Sequence, residues 1–312
     1  MGYRIVVTGG AGYIGSVLVP ELLSAGHEVT VVDNFLYRQN SLSHACYYPG
    51  FSIVNGDVRN DSLMEPLLKK ADIIIPLAAL VGAPLCQRDP LAATSTNREA
   101  PVRMFKNLSR DQWVLMPTTN SAYGTGDGNN YCNEESPLNP ISLYAKDKVE
   151  VEKALLEREN AVSFRLATVF GMSPRMRIDL LVNDFTYRAV YDRFVILFEA
   201  HFKRNYIHVR DVVRAFQFGI ANFPKVKGQA FNVGLSDANL SKLELCVAIQ
   251  KQLPDFVYME APVGRDPDRR NYIVSNEKIE KAGYRPQFAL DVGITELIKG
   301  FTMIKNSQYG NV

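Results

Sequence analysis

Tyr144 and Lys148 stand four residues apart in Tyr144-Ala145-Lys146-Asp147-Lys148. Within a helix that spacing puts both side chains on one face, so a phenol and an ammonium can share one pocket. A phenol titrates near ~10, and an adjacent cation favours the phenolate. Tyr144 is therefore suited to take a proton from an alcohol. Lys146 lies only two positions from Tyr144 and faces elsewhere. Upstream, Met116-Pro117-Thr118-Thr119-Asn120-Ser121 closes a strand-like run with hydroxyls. Thr119 or Ser121 would hydrogen-bond the same alcohol, and spacing alone does not choose between them. Tyr-x-x-x-Lys also occurs on many surface helices, so its weight depends on what accompanies it.

What accompanies it is Thr8-Gly9-Gly10-Ala11-Gly12-Tyr13-Ile14-Gly15, between a first strand and a first helix. In Gly9-x-x-Gly12-x-x-Gly15 one glycine makes the tight turn and one admits a pyrophosphate. The third lets the helix pack closely on the strand. Exposed N–H groups and the positive helix end then face the phosphates. Asp33, at the end of the second strand, would accept hydrogen bonds from the adenosine ribose hydroxyls, with Asn34 beside it. Its charge would repel a 2′-phosphate, which favours NAD over NADP; Arg38 and Arg4 are the guanidinium groups that would argue otherwise. Asp57-Val58 would border the adenine, although Asp57 also fits a helix-start cap. Leu77-Ala78-Ala79 leaves room for a flat cofactor, and plain core packing is the competing account. A positive nicotinamide would favour the Tyr144 phenolate further, and hydride would leave the carbon whose hydroxyl Tyr144 deprotonates.

These groups need a scaffold, and the pattern supplies one. Strand signals at Arg4 to Thr8, Glu28 to Val32, Phe51 to Val54, Asp72 to Leu77, Trp113 to Met116 and Val162 to Leu166 alternate with helical stretches. The helices run from about Tyr13 to Ala25, Asn97 to Ser109 and Ser142 to Asn160, with Gly26 as a C-cap. Alternation of this kind predicts an α/β fold: a Rossmann-type doubly wound parallel sheet whose strand ends share one ligand-binding edge. Residues 1–165 form the expected NAD-binding domain, with a later return over about 206–222. Residues 166–312 form a smaller C-terminal substrate-binding domain, interleaved with the first.

Composition narrows the class. The chain has 312 residues, 46% hydrophobic and 22% charged, which excludes a disordered or low-complexity protein. Lys and Arg number 35 against 33 Asp and Glu, so a net charge of +2 offers no general attraction to nucleic acid or an anionic membrane. Cys46, Cys86, Cys132 and Cys246 are scattered, without a CxxC pair, which argues against a disulfide framework or a zinc site. The uncharged stretch Ile73 to Cys86 is too short to span a bilayer, and the N-terminus lacks a signal-peptide or myristoylation pattern. A cytoplasmic protein without a metal is expected.

The motifs together resemble the extended short-chain dehydrogenase/reductases, and among them the NAD-dependent epimerase/dehydratase group acting on nucleotide sugars. Besides the glycine and Tyr-Lys motifs, the likeness includes Val32-Asp33-Asn34, Gly56-Asp57-Val58, Leu77-Ala78-Ala79, Asn205-Tyr206-Ile207-His208-Val209-x-Asp211 and Phe231-Asn232-Val233-Gly234. The resemblance implies that Thr119 is the catalytic hydroxyl, Tyr144 the base and Lys148 its partner. It implies substrate contacts at Val81, Ser121, Thr168, Arg175, Arg204 and Arg270. Arg204 would hold the nucleotide diphosphate; Arg265, Arg269 and Arg270 all lie in the region expected to give a second phosphate ligand. Asn120 and Ser121 stand where dehydratases of the group carry an acidic pair, which disfavours water elimination. Thr168 replaces the usual Asn near the substrate phosphates. Leu77 to Cys86 and Ser173-Pro174-Arg175-Met176-Arg177 look like a subgroup of bacterial surface-polysaccharide pathways, including a nucleotide-heptose C4 oxidising enzyme.

The resulting expectation is oxidation of a nucleotide-sugar C4 hydroxyl to a 4-keto intermediate, ending in C4 epimerisation or net dehydrogenation. An NADPH-dependent keto-sugar reductase is one alternative, and a non-catalytic dinucleotide sensor is another. The second would not need Tyr144, Lys148 and Thr119 together. The helices near 97–109 and 142–160 could pair with their copies in a homodimer or higher homo-oligomer.

Overall fold

The computed structural model describes residues 2–124, 131–262 and 271–304. Seven strands form one sheet in the order Gln229–Val233, Ala161–Leu166, Trp113–Thr119, Ile73–Pro76, Arg4–Thr8, Glu28–Asp33, Phe51–Asn55. Every pairing in it is parallel. The central strands are short apolar runs because both faces are covered. Ile5, Val7, Ile73 and Ile75 join one core, with the helix Gly15–Ser24 and the helix Val209–Ala221. The alternate residues Val6, Ile74, Val114 and Met116 join another, with residues of Asp61–Leu68, Ala100–Lys106 and Leu143–Leu156. Helices on both faces make this the doubly wound architecture expected.

Strands added after Arg4–Thr8 run first to one side and then to the other. The order therefore reverses between Arg4–Thr8 and Ile73–Pro76, and a crevice opens there at the strands' carboxyl ends. The helix Gly15–Ser24 stops where Gly26 takes φ +84°, with its N–H on the Leu23 carbonyl.

Trp113–Thr119 continues past the expected stop at Met116, straight through Pro117. Val114 N–H bonds toward Asn160, so alternate residues face that side and Pro117 faces the Ile73–Pro76 strand. Pairing with that strand ends at Val114, so proline's missing N–H is not needed there. The extension carries Thr119 to the sheet edge.

The expected return over about 206–222 divides in the structure. Val209–Ala221 packs on Gly15–Ser24, whereas Lys203–His208 lies in a separate three-stranded sheet between Asn239–Ser241 and Thr168–Phe170. The strand that rejoins the main sheet is Gln229–Val233. Among the described residues no helix is long and apolar enough to cross a membrane.

Candidate active site

A cleft of about 970 Å³ lies over the reversal point. Its walls include Gly9, Gly12, Tyr13, Ile14, Gly15, Asp33, Asn34, Asp57, Val58, Leu77, Ala78 and Ala79, and farther along Val81, Thr119, Ser121, Tyr144, Lys148, Thr168, Arg175 and Arg204. The structure thus gathers into one cavity every site residue expected from sequence except Arg270, which with Arg265 and Arg269 lies outside the described residues.

The glycine-rich loop shows why side chains are excluded from it. Gly9 has φ +67°, and a Cβ there would sit 2.5 Å from the Ala78 nitrogen. A Cβ on Gly15 would meet the Gly10 carbonyl oxygen at 2.5 Å, so the nearest constraint on the third glycine is the loop itself and not the strand expected from sequence. Gly10 is constrained too, with its Cβ position 2.7 Å from Val31. The helix that follows has no side-chain cap and no acidic residue in its first turn, leaving its N–H groups for an anion. These features fit a dinucleotide diphosphate. Gly9→Ala is expected to destabilise the fold by about 1–3 kcal/mol and to weaken NAD binding, as read by urea unfolding and titration. Wild-type stability in that variant would contradict the backbone argument.

Asp33 accepts the Ala11 N–H at 2.9 Å and the Phe35 N–H at 2.8 Å, which aims its carboxylate into the cleft. Burial raises its pKa, against the pull of those two N–H groups and Arg175. Asp57 is not a helix cap: Asn60 caps Asp61–Leu68 by accepting the Leu63 N–H. Asp57 instead pairs with Arg59 at 2.6 Å, which holds its carboxyl below the usual range. Of the two guanidinium groups weighed against Asp33, Arg38 lines the cleft, whereas Arg4 is paired with Asp72 at 2.6 Å at the start of the first strand.

At the reaction end, Ser142 caps the helix Leu143–Leu156 by accepting the Ala145 N–H at 3.2 Å. Lys148 Nζ then lies 6.0 Å from the Tyr144 ring centre and donates to the Pro117 carbonyl at 3.4 Å. Lys146 is exposed. Burial pushes the Lys148 ammonium down to about 8, opposed by Cys86 and Asp147. Thr119 and Ser121 are bonded to each other: Thr119 Oγ1 donates to Ser121 Oγ at 3.0 Å and accepts the Ser121 N–H at 3.1 Å, and both line the cleft. Asn120 does not line the cleft; its amide is buried with no hydrogen-bond partner among the described residues.

Several groups gave no sequence signal. Asn97 sits in a five-residue π-helical turn, Ser95–Glu99, and grips Leu80 through both amide atoms at 2.8 Å, shaping the loop after Ile73–Pro76. Arg177, paired with Asp179 at 2.5 Å, lines the cleft with Tyr37, Lys242 and Tyr272. Arg175, by contrast, is expected from the resemblance as a substrate contact, and it lies at the glycine-rich end. Its N–H bonds Ser16 Oγ at 3.3 Å and its guanidinium lies 3.8 Å over the Tyr37 ring. Ser173 Oγ donates to the Tyr13 carbonyl, and the Tyr13 hydroxyl donates to the Gly171 carbonyl, both at 2.7 Å. Tyr13 and Arg175 are each singled out in the sequence, but not the bonds that join their two segments.

Known proteins resemble nearly the whole chain. The sequence profile of the NAD dependent epimerase/dehydratase family matches residues 5–234. A UDP-glucose 4-epimerase of Mycolicibacterium smegmatis is 30% identical, over 96% of this chain and 98% of that protein. UDP-glucuronic acid decarboxylase 1 of Arabidopsis thaliana is 27% identical, over 96% of this chain and 69% of that one. The crystal structure of a Thermus thermophilus UDP-glucose 4-epimerase in complex with NAD superposes with a TM-score of 0.82 at 23% identity, covering 96% of this chain and 99% of that one.

Proposed function

The chain belongs to the NAD-dependent epimerase/dehydratase family, and on that premise we propose that it oxidises the C4 hydroxyl of a nucleotide-activated sugar to a 4-keto intermediate. Bound NAD supplies the hydride acceptor. Tyr144 takes the hydroxyl proton, Lys148 favours the phenolate, and Thr119 with Ser121 orients the sugar oxygen. Gly9, Gly12 and Gly15 receive the cofactor diphosphate, and Asp33 the adenosine ribose. Arg204, itself buried, and the neighbouring Thr168 face the nucleotide diphosphate of the substrate. Net C4 epimerisation requires the keto sugar to turn its other face and take the hydride back; release of the keto sugar, with the NADH reoxidised by another acceptor, makes the net reaction a dehydrogenation.

The observation that carries this reading is the meeting of a dinucleotide loop and a Tyr-Lys-hydroxyl cluster in one cleft. Relatives that act on UDP-glucose and UDP-glucuronic acid suggest the probes. Incubation with NAD and UDP-glucose, UDP-N-acetylglucosamine or UDP-glucuronic acid, alongside mass spectrometry of nucleotide sugars that co-purify, is expected to give a C4 epimer or a 4-keto product. A co-purifying nucleotide sugar that is bound but never converted would point instead to the sensor reading.

The Asp33 carboxylate also predicts cofactor choice. NAD is expected to bind at least about tenfold more tightly than NADP, because a 2′-phosphate would be placed against a like charge. Asp33→Asn keeps an oxygen for the Ala11 or Phe35 N–H and should narrow that ratio. Tighter binding of NADP by the wild type would favour the keto-sugar reductase.

A further inference from the structure

Glu152 extends the helix face of Tyr144 and Lys148 by one turn. It and Arg165 are almost completely buried, at 4% and 6% exposure, and neither lines the cleft. Glu152 Oε1 accepts from Arg165 Nη2 at 2.6 Å. Its Oε2 accepts from Ser163 Oγ at 2.6 Å and from Thr118 Oγ1 at 2.8 Å. Thr118 immediately precedes Thr119 on the same strand. Arg165 Nη1 donates to the Tyr123 hydroxyl at 3.0 Å, which donates to Asn232 Oδ1 at 2.7 Å. Tyr123 ends the short turn Asn120–Tyr123 that holds Ser121.

One carboxylate therefore ties the helix of Tyr144 to the strand of Thr119 and, through Arg165, to the turn of Ser121. Stability alone is a poor account of such a pair, because well-packed apolar replacements of buried ion pairs often fold equally well. The bonds lead to each of the three elements whose relative placement sets the proton-transfer geometry. We infer that Glu152 and Arg165 are positioning residues, fixing the helix against the strand so that Tyr144 and Lys148 meet Thr119. The inference rests on the reading of Tyr144 as proton acceptor.

The test is the double variant Glu152→Met/Arg165→Met, studied with NAD bound beside Tyr144→Phe and the wild type. Thr118 Oγ1 and Ser163 Oγ lie 2.8 Å apart, so without the carboxylate one can donate to the other, and Tyr123 keeps Asn232. The sugar used is whichever of UDP-glucose, UDP-N-acetylglucosamine and UDP-glucuronic acid the wild type converts fastest. Thermal midpoint, NAD affinity and KM should stay near wild type while kcat falls about 100-fold, since a misplacement of ~1 Å suffices for that loss. A crystal structure with NAD, which needs no substrate, should show Tyr144 shifted from Thr119. A folded double variant with wild-type kcat, or with Tyr144 and Thr119 undisturbed, overturns the inference and leaves the proton-transfer reading intact. Wild-type turnover by Tyr144→Phe overturns both. Should the double variant not fold, Thr118→Val removes the strand's bond to the carboxylate, together with its contact to Ser163, and should lower kcat about tenfold at unchanged KM; unchanged kcat there counts against it.

Discussion

Tyr144→Phe is expected to lower turnover by ~10²–10⁴-fold while changing NAD affinity by less than about threefold. The substitution removes one oxygen and keeps the ring that lies 6.0 Å from Lys148 Nζ. Packing is thus preserved, and only the group that would exchange a proton with the sugar hydroxyl is lost. The surroundings suit a phenolate. Lys148 approaches from the same helix face, and Arg177, kept charged against burial by its pairing with Asp179, lines the same cleft. An effect confined to kcat would identify an interaction made in the transition state, whereas a rise in KM alone would indicate a binding role. Turnover of the Phe variant at the wild-type rate would remove Tyr144 from the chemistry.

The distribution of what sequence reveals has a physical pattern. Features enforced by the backbone are legible: Gly9 must adopt a positive φ, and the Tyr144 to Lys148 spacing follows from the helical repeat. The alternating strands likewise predict the parallel sheet, because a strand covered on both faces has little choice but Val and Ile. Features made by side chains from distant segments are not legible. Asp57 reads as a neighbour of the adenine that also fits a helix cap; it lines the cleft, but Asn60 takes the cap and Asp57 turns to Arg59, a local choice that the residue types alone do not settle. Pro117 reads as a strand terminator because its neighbour's pairing limit at Val114 is a tertiary fact. Arg175 and Arg177 are two residues apart, yet one stacks on Tyr37 beside the glycine-rich loop and the other pairs with Asp179. Only the folded path of that segment separates them. The spacing of the hydroxyls is equally silent: Thr119 and Ser121 bond each other across a single turn, and both line the cleft.

Lys148→Met is expected to abolish most activity, by ~10²-fold or more, and at the same time to make the cofactor-free protein more stable. Lys148 is 4% exposed, and it donates a long hydrogen bond of 3.4 Å to the Pro117 carbonyl. Burial brings its pKa to about 8, against ~10.4 for an unfolded chain. Below pH 8 both states carry the proton, and the folded state bears the full penalty of a desolvated charge. Between about 8 and ~10.4 the unfolded state binds more protons, so this group makes wild-type stability rise with pH until the penalty is gone. Methionine keeps the apolar stem without the charge, and at neutral pH should gain roughly 3 kcal/mol relative to wild type, an advantage that shrinks as pH approaches ~10. Urea unfolding of both proteins without NAD, near neutral pH and near pH ~10, measures it directly. If Lys148 favours the Tyr144 phenolate as proposed, turnover is expected to fall as pH rises through about 8, where the ammonium is lost, as a pH-rate profile measures. A Met variant less stable than wild type at neutral pH would mean that Lys148 holds the fold together. A more stable, inactive one would mean that the protein retains a destabilising charge because the chemistry at Tyr144 requires it.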